Sequence, residues 1–375
     1  MKPLCLVPWT SIDIRASGTI APCCKYSLLD VSQYLKITQI NIEDYTKSKF
    51  LKDIKNTMLK NEWPAGCFSC KFDEDNGIKS KRQLDYERWP VEFDTYTEDK
   101  GYIIAAIAFG NTCNLKCITC NSEDSSLWRQ EYIDIYGIDN VGVKTISSDA
   151  SEIYDAIPNV IHFDIPGGEP FLSEIKKQKR LLQRYVDSGR CKDITLHYTT
   201  NGQTFPSQDW WNLWQNFKEI DMQLSIDGVG KRYEYIRFPA KQEIIEEHVK
   251  MYTKKEKINP NLRLSVSHTV SAYSVYYLSS FFDWCESVGL PHPWCGLARR
   301  PKHMRPQVFP QTIKDKIIEH LNLSRHQDVH IWANYLSNND SSEYFSEFLR
   351  LTDAHDLYRN LNFANTFPEL KKLLD

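Results

Sequence analysis

The stretch Asn111-Thr-Cys-Asn-Leu-Lys-Cys-Ile-Thr-Cys120 places three cysteines at Cys-x3-Cys-x2-Cys spacing. Thiolates at these gaps can hold three corners of a cubane iron–sulfur cluster and leave the fourth iron without a protein ligand. An open iron is a place to bind and reduce a small molecule. The reading of Cys113, Cys117 and Cys120 therefore decides what the surrounding chain must be.

Around this loop the sequence alternates strand-like and helix-like segments. Strands are expected at Ile103–Phe109, Val160–Ile165, Ile194–Thr200, Met222–Ile226, Leu262–Val270 and, weakly, Trp294–Ala298. Helical spacing falls between them. Leu181, Leu182 and Tyr185 share a face; Trp210, Leu213, Trp214 and Phe217 follow i, i+3, i+4, i+7; Ile244, Ile245, His248, Val249 and Tyr252 repeat the pattern. Alternation of this kind implies parallel strands joined by right-handed crossovers. Six such units are too few for a closed eight-unit barrel. The expected fold class is α/β, a partial (β/α)6 TIM-type barrel over residues 99–300. Residues 1–98 form an N-terminal module without the alternation, with a helical stretch around Tyr45–Lys60, and residues 301–375 a mostly helical C-terminal extension.

The chain has 375 residues, 41% hydrophobic content and a formal charge of −3. The size allows a large core, and the charge disfavours a polyanion-binding surface, so nucleic acid is not the expected partner. The residues Arg299, Arg300, Lys302, His303 and Arg305 form a local basic run that reads first as a solvated turn. No apolar run approaches membrane-spanning length, and the N-terminus lacks the pattern of a signal peptide, so a soluble cytoplasmic protein is expected. Eleven cysteines then read as metal ligands rather than disulfides, because they cluster at gaps of two and three residues. Cys191, Cys285 and Cys295 are isolated and read as buried apolar thiols.

In a parallel α/β barrel, chemistry sits on loops at the C-terminal ends of strands. Four polar motifs fall there: Cys113–Cys120, Gly167-Gly-Glu-Pro170, Thr199-Thr-Asn-Gly202 and Ser225-Ile-Asp-Gly228. The cysteine loop followed by Gly-Gly-Glu-Pro, in this order and on these strands, resembles the radical S-adenosylmethionine superfamily over roughly residues 102–300. The resemblance implies that the open iron of a 4Fe–4S cluster chelates S-adenosylmethionine. An electron from the cluster then cleaves the sulfonium to methionine and a 5′-deoxyadenosyl radical, which abstracts hydrogen from a substrate. It implies that Gly167 and Gly168 let the backbone approach the methionine amino group, with Glu169 and Pro170 completing that segment. Asn201 and Ser225 become candidates for hydrogen bonds to the methionine carboxylate or the ribose, and Arg237 for the charged partner of that carboxylate. Tyr198, Asp227, His268 and Tyr273 lie near strand ends and are candidates for handling substrate, but no catalytic residue is assigned.

A second cysteine set precedes the barrel. Cys5, Gly18 and Cys23 at Cys-x12-Gly-x4-Cys spacing resemble the start of the auxiliary-cluster modules called SPASM and twitch domains, and Cys67-Phe-Ser-Cys70 adds a pair. The tail of the longer module is missing, so the one-cluster twitch type fits better, although such modules usually follow the barrel. Cys5, Cys23, Cys67 and Cys70 would ligate an auxiliary 4Fe–4S cluster, with Cys24 as a possible substitute. Tetrahedral zinc is the competing reading. The expectation is a radical S-adenosylmethionine enzyme acting on a peptide or small molecule and reduced by a flavodoxin- or ferredoxin-type partner. The rivals are a nucleic-acid modifying enzyme of the same superfamily and a non-catalytic iron–sulfur electron carrier or scaffold.

Overall fold

The computed structural model describes residues 4–27, 35–36, 41–75, 79–138, 145–146 and 148–375. The fold is mixed α/β and falls into two compact units. One comprises Met1–Thr112, Val143–Thr199 and Pro206–Ile220, the other Cys113–Gly142, Thr200–Phe205 and Asp221–Asp375.

The first unit is organised by the strands β1 (Ser11–Ile14), β2 (Thr19–Ala21), β3 (Leu35–Lys36), β4 (Ile104–Ile107), β5 (His162–Ile165) and β6 (Thr195–Thr200), in the spatial order β3-β2-β1-β4-β5-β6. β4, β5 and β6 pair in parallel, as the alternation implied. Unforeseen was β1, which lies parallel to β4 with Asp13 opposite Ala106, so the cysteine-bearing N-terminal segment adds a strand to the same layer. β2 and β3 continue it antiparallel.

Alternation along a strand sends successive side chains to opposite faces. One face of this layer carries Ile12, Ile14, Ala105, Ile107, Phe163, Ile165, Leu196 and Tyr198, all buried. It is covered by the helix Ile175–Asp187, whose Leu181, Leu182 and Tyr185 point inward, and by Gln208–Trp214. Tyr185 meets Phe163 edge-on at 6.4 Å, and Trp214 meets Tyr198 at 5.2 Å. The tryptophans of Gln208–Trp214 thus pack as core. Gly189, at φ +76°, ends the first of these helices. The opposite face carries Ser11, Asp13, His162, Asp164, Thr195 and His197, with the apolar Ile104 and Ala106 of β4 between them.

The second unit holds β7 (Glu219–Ser225) from Asp221 onward, β8 (Leu262–Val270) and β9 (Trp294–Leu297), in that spatial order. The helix Gln242–Ile258 buries Ile245, Val249 and Tyr252. The C-terminal region is helical at Gln311–Asn322, Gln327–Asn338, Phe345–Arg359, Phe363–Thr366 and Pro368–Leu374. It closes around rings: Phe367 stands 5.0 Å from Tyr235, and Phe348 stands 5.1 Å from Tyr273. Among the described residues no helix is long and apolar enough to cross a membrane.

Candidate cofactor and metal sites

The three-cysteine loop has no regular structure and is held by bonds at each step. Lys116 N donates to the Phe238 carbonyl and Ile118 N to the Ile236 carbonyl, both at 2.7 Å. Ser125 Oγ donates to the Leu115 carbonyl at 2.6 Å, and the Trp128 indole N–H to the Cys117 carbonyl at 3.1 Å. Leu115 and Ile118 are buried, leaving Cys113, Cys117 and Cys120 half-buried.

Two of the sulfurs receive donors from residues named in the sequence reading. Asn201 Nδ2 lies 3.7 Å from Cys113 Sγ and 2.8 Å from Asn114 Oδ1. Arg237 Nη1 lies 3.8 Å from Cys117 Sγ, while its Nε stands 2.9 Å from the buried carboxylate of Asp227. The carboxylate that Arg237 meets in this fold is therefore Asp227. Asp227 also accepts from Thr269 N at 2.7 Å, which ties β8 to the same corner. Burial pushes the Cys117 thiol up, and the Arg237 guanidinium pulls against it. N–H donors beside sulfur are what a thiolate ligand needs, since they stabilise its charge.

Beneath the loop lies an ionic group that sequence reasoning missed. Glu131 is fully buried and receives His355 Nδ1 at 2.7 Å, Arg359 Nε at 2.8 Å and Lys116 Nζ at 2.7 Å. Burial raises the Glu131 carboxyl, but the His355 hydrogen bond and the Arg359 charge outweigh it and bring it down to about 2. Arg359 also lies over the Trp128 ring at 4.8 Å. The helix Phe345–Arg359 thus grips the loop through Glu131, Trp128 and Lys116. The residues are far apart in sequence, and no local pattern signals their meeting.

In the first unit the Gly-Gly-Glu-Pro segment packs against the end of β4. Gly167 and Gly168 have φ of +89° and +53°. A Cβ on Gly168 would stand 2.4 Å from the Thr112 carbonyl oxygen, so only glycine fits. Glu169 is fully buried; its N–H donates to Thr112 O at 2.8 Å, and its carboxylate accepts from Phe171 N at 3.3 Å. Pro170 offers its carbonyl to Gln178 at 2.8 Å. This segment is thus fixed to Thr112, the residue before Cys113.

Also in the first unit, Cys5, Cys23, Cys67 and Cys70 are linked pairwise by their electrostatic influence on one another, although no three of these sulfurs lie within 4.8 Å of each other. Burial pushes Cys5 and Cys67 up to about 12, and neighbouring thiols add to it: Cys70 for Cys5, and Cys5 and Cys70 for Cys67. Cys23 is raised well above its ordinary value by burial, with Cys24, Cys5 and Cys67 contributing. Cys5, Cys23 and Cys67 flank a small core of Ala21, Tyr26, Ile54 and Met58. Cys24 is exposed, the other four half-buried.

The remaining candidates are structural where their partners are visible. Tyr198 lies on the apolar face and accepts from Trp214 Nε1 at 3.3 Å. Tyr273 hydroxyl pairs with Thr352 at 2.6 Å. His268 Nδ1 meets the Ile226 carbonyl at 3.0 Å, and burial lowers its pKa to about 4. Ser225 is buried at the end of β7. Of the isolated cysteines, Cys191 and Cys285 are buried and Cys295 is partly so.

The donor chemistry fits an iron–sulfur cluster at Cys113–Cys120, and the two glycines let the Gly-Gly-Glu-Pro turn close against Ala108 and Thr112 beside that loop. No family model and no curated protein matches the chain. Among solved structures, it is similar to anSMEcpe with bound AdoMet at a TM-score of 0.44 and 16% identity, over 58% of this chain and 55% of that one. A second anSMEcpe structure, with AdoMet and the Cp18Cys peptide, gives 0.43 and 15%, over 58% and 56%. SuiB of Streptococcus suis bound to S-adenosylmethionine gives 0.40 and 12%, over 83% and 68%. The chain thus spans little more than half the length of these anSMEcpe structures.

Proposed function

We propose that the chain is a radical S-adenosylmethionine enzyme with a second, auxiliary 4Fe–4S cluster, acting on a peptide or small-molecule substrate. The observation that carries this reading is the cysteine loop itself, whose sulfurs at Cys113 and Cys117 face N–H donors from Asn201 and Arg237. When bound, the cluster and S-adenosylmethionine supply one-electron reduction and a carbon-centred radical.

The chain's own residues then do the following. Cys113, Cys117 and Cys120 would hold three irons of the cluster. Asn201 and Arg237 stabilise sulfur charge, and Asp227 fixes the direction of the guanidinium. Gly167 and Gly168 keep the strand end free of Cβ atoms where the methionine amino group would approach, and Glu169 and Pro170 hold that turn in shape. Ser225 stands as a hydrogen-bond partner for the carboxylate or ribose. Cys5, Cys23, Cys67 and Cys70 form a complete four-thiolate set, which suits electron transfer from product or reductase, with a flavodoxin- or ferredoxin-type protein as the electron source.

The test is anaerobic reconstitution with iron and sulfide, followed by dithionite and S-adenosylmethionine. Formation of 5′-deoxyadenosine is expected. Its absence from a fully loaded sample overturns the reading and leaves an electron carrier or scaffold.

A further inference from the structure

The polar face of the first unit is built in register. Asp13 of β1 lies opposite Ala106 of β4, Ala106 opposite Asp164 of β5, and Asp164 opposite His197 of β6. One step along, His162 sits opposite Thr195 on the same face. The other face of these strands is wholly apolar and buried, whereas the Asp164 side chain keeps 30% of its exposure. On the polar face Asp13 and His162 are buried while Asp164 stays partly open, so Asp164 is the point at which a polar ligand could reach this layer.

Charge balance says which kind. Arg15 is spent on Asp13, with Nε 3.2 Å from the carboxylate, and on the Tyr26 carbonyl at 2.6 Å. Lys81 is spent on Asp85 through contacts of 2.7 and 2.8 Å. Asp164 is left with a histidine, His162 Nε2 at 2.9 Å. Burial raises the Asp164 carboxyl, but the His162 and His197 rings, together with the Lys81 charge, outweigh it and hold it well below the usual carboxylate range. His162 Nδ1 is buried and has no hydrogen-bond partner among the described residues. The face therefore presents the partly open carboxylate of Asp164, which His162 contacts through one oxygen, and a positively charged group with N–H donors suits it.

We infer that Asp164, with His162 beside it, is the recognition point for a cationic nitrogen of the substrate, an ammonium or guanidinium. Cys24 stands within electrostatic reach of Asp13 and Asp164, so the site neighbours the auxiliary cysteines. The inference rests on the proposed function only for what becomes of the bound group.

The test is binding to the full, iron-loaded chain without reductant or S-adenosylmethionine, so that its failure leaves the 5′-deoxyadenosine experiment standing. The probes are Nα-acetyl-lysine amide, its uncharged isostere Nα-acetyl-norleucine amide, and pentane-1,5-diamine, titrated by ligand-observed NMR. Both amines should bind, and norleucine at least about tenfold more weakly. Tighter binding of the blocked lysine assigns a peptide source, and tighter binding of the diamine a free amine. D164N should weaken amine binding by about tenfold or more, and H162N should weaken it to a smaller extent. Equal affinity for lysine and norleucine probes, no binding of either amine, or unchanged amine affinity in a folded D164N overturns the inference.

Discussion

The Arg237 guanidinium points one terminal nitrogen at Cys117 Sγ from 3.8 Å, on an arm held by Asp227. A cation beside a thiolate ligand stabilises the reduced, more negative cluster. R237Q should therefore shift the reduction potential of the cluster downward and cost about 10–100-fold in activity, as loss of an outer-shell partner typically does. The same change strands the buried Asp227 charge, at about 3–5 kcal/mol of stability. R237Q/D227N should recover much of that stability while keeping the low potential. Spectroelectrochemical titration and chemical denaturation separate the two effects.

Gly168 admits no Cβ at 2.4 Å from the Thr112 carbonyl, and its φ is left-handed. G168A should cost about 1–3 kcal/mol through strain in the turn and should weaken S-adenosylmethionine binding. Equilibrium dialysis with the loaded protein, beside a thermal melt, checks both. Binding and stability equal to wild type would contradict the cradle.

Glu131 joins the cluster loop to the C-terminal helix through Lys116, His355 and Arg359. E131Q leaves two buried cations short of their counter-charge and should cost about 3–5 kcal/mol by urea titration. Its carboxyl is depressed to about 2. The stability it contributes is therefore fully present above its ordinary value of 4.5 and is lost as pH falls toward 2. Wild type should lose stability steeply across that window, and E131Q should lose less.

Cys5 and Cys67 have thiols raised from 9.0 to about 12 by burial. In the metal-free chain the neutral thiols favour folding below pH 9, and that contribution fades as pH climbs toward 12. Loading with iron, which requires thiolates, should become tighter as pH rises and should release protons. Alkaline melts of metal-free protein with and without C5A/C67A test the first statement. The alanine triple at Cys113, Cys117 and Cys120 should keep about four irons per chain. Near-zero iron with zinc in its place would return the auxiliary site to a zinc reading.

Much of the strand order was legible. The alternation from Ile103 to Ala298 placed β4 through β9 within one to three residues at most ends, because a strand buried on one face writes its period into the sequence. The same period held an unused signal. Thr195, His197 and Thr199 alternate with Leu196, Tyr198 and Thr200, and His162 and Asp164 flank Phe163. Tyr198 was weighed as a candidate, yet the alternation puts it on the apolar face and His197 on the polar one.

The sequence by itself determined the thiol spacing of the loop. Cys113, Cys117 and Cys120 lie so close together that their ligand spacing is a local property of ten residues, and the two glycines before Glu169 mark a turn that only glycine can make. What only the tertiary structure decided are the partners brought from afar. Ser11–Ile14 comes to lie beside Ile104–Ile107, Arg237 reaches Cys117 by way of Asp227, and Glu131 meets His355 and Arg359 across more than 220 positions. Each of these depends on loop closure and on the desolvation of charges that find their match only once the chain is packed, and neither leaves a trace in local spacing.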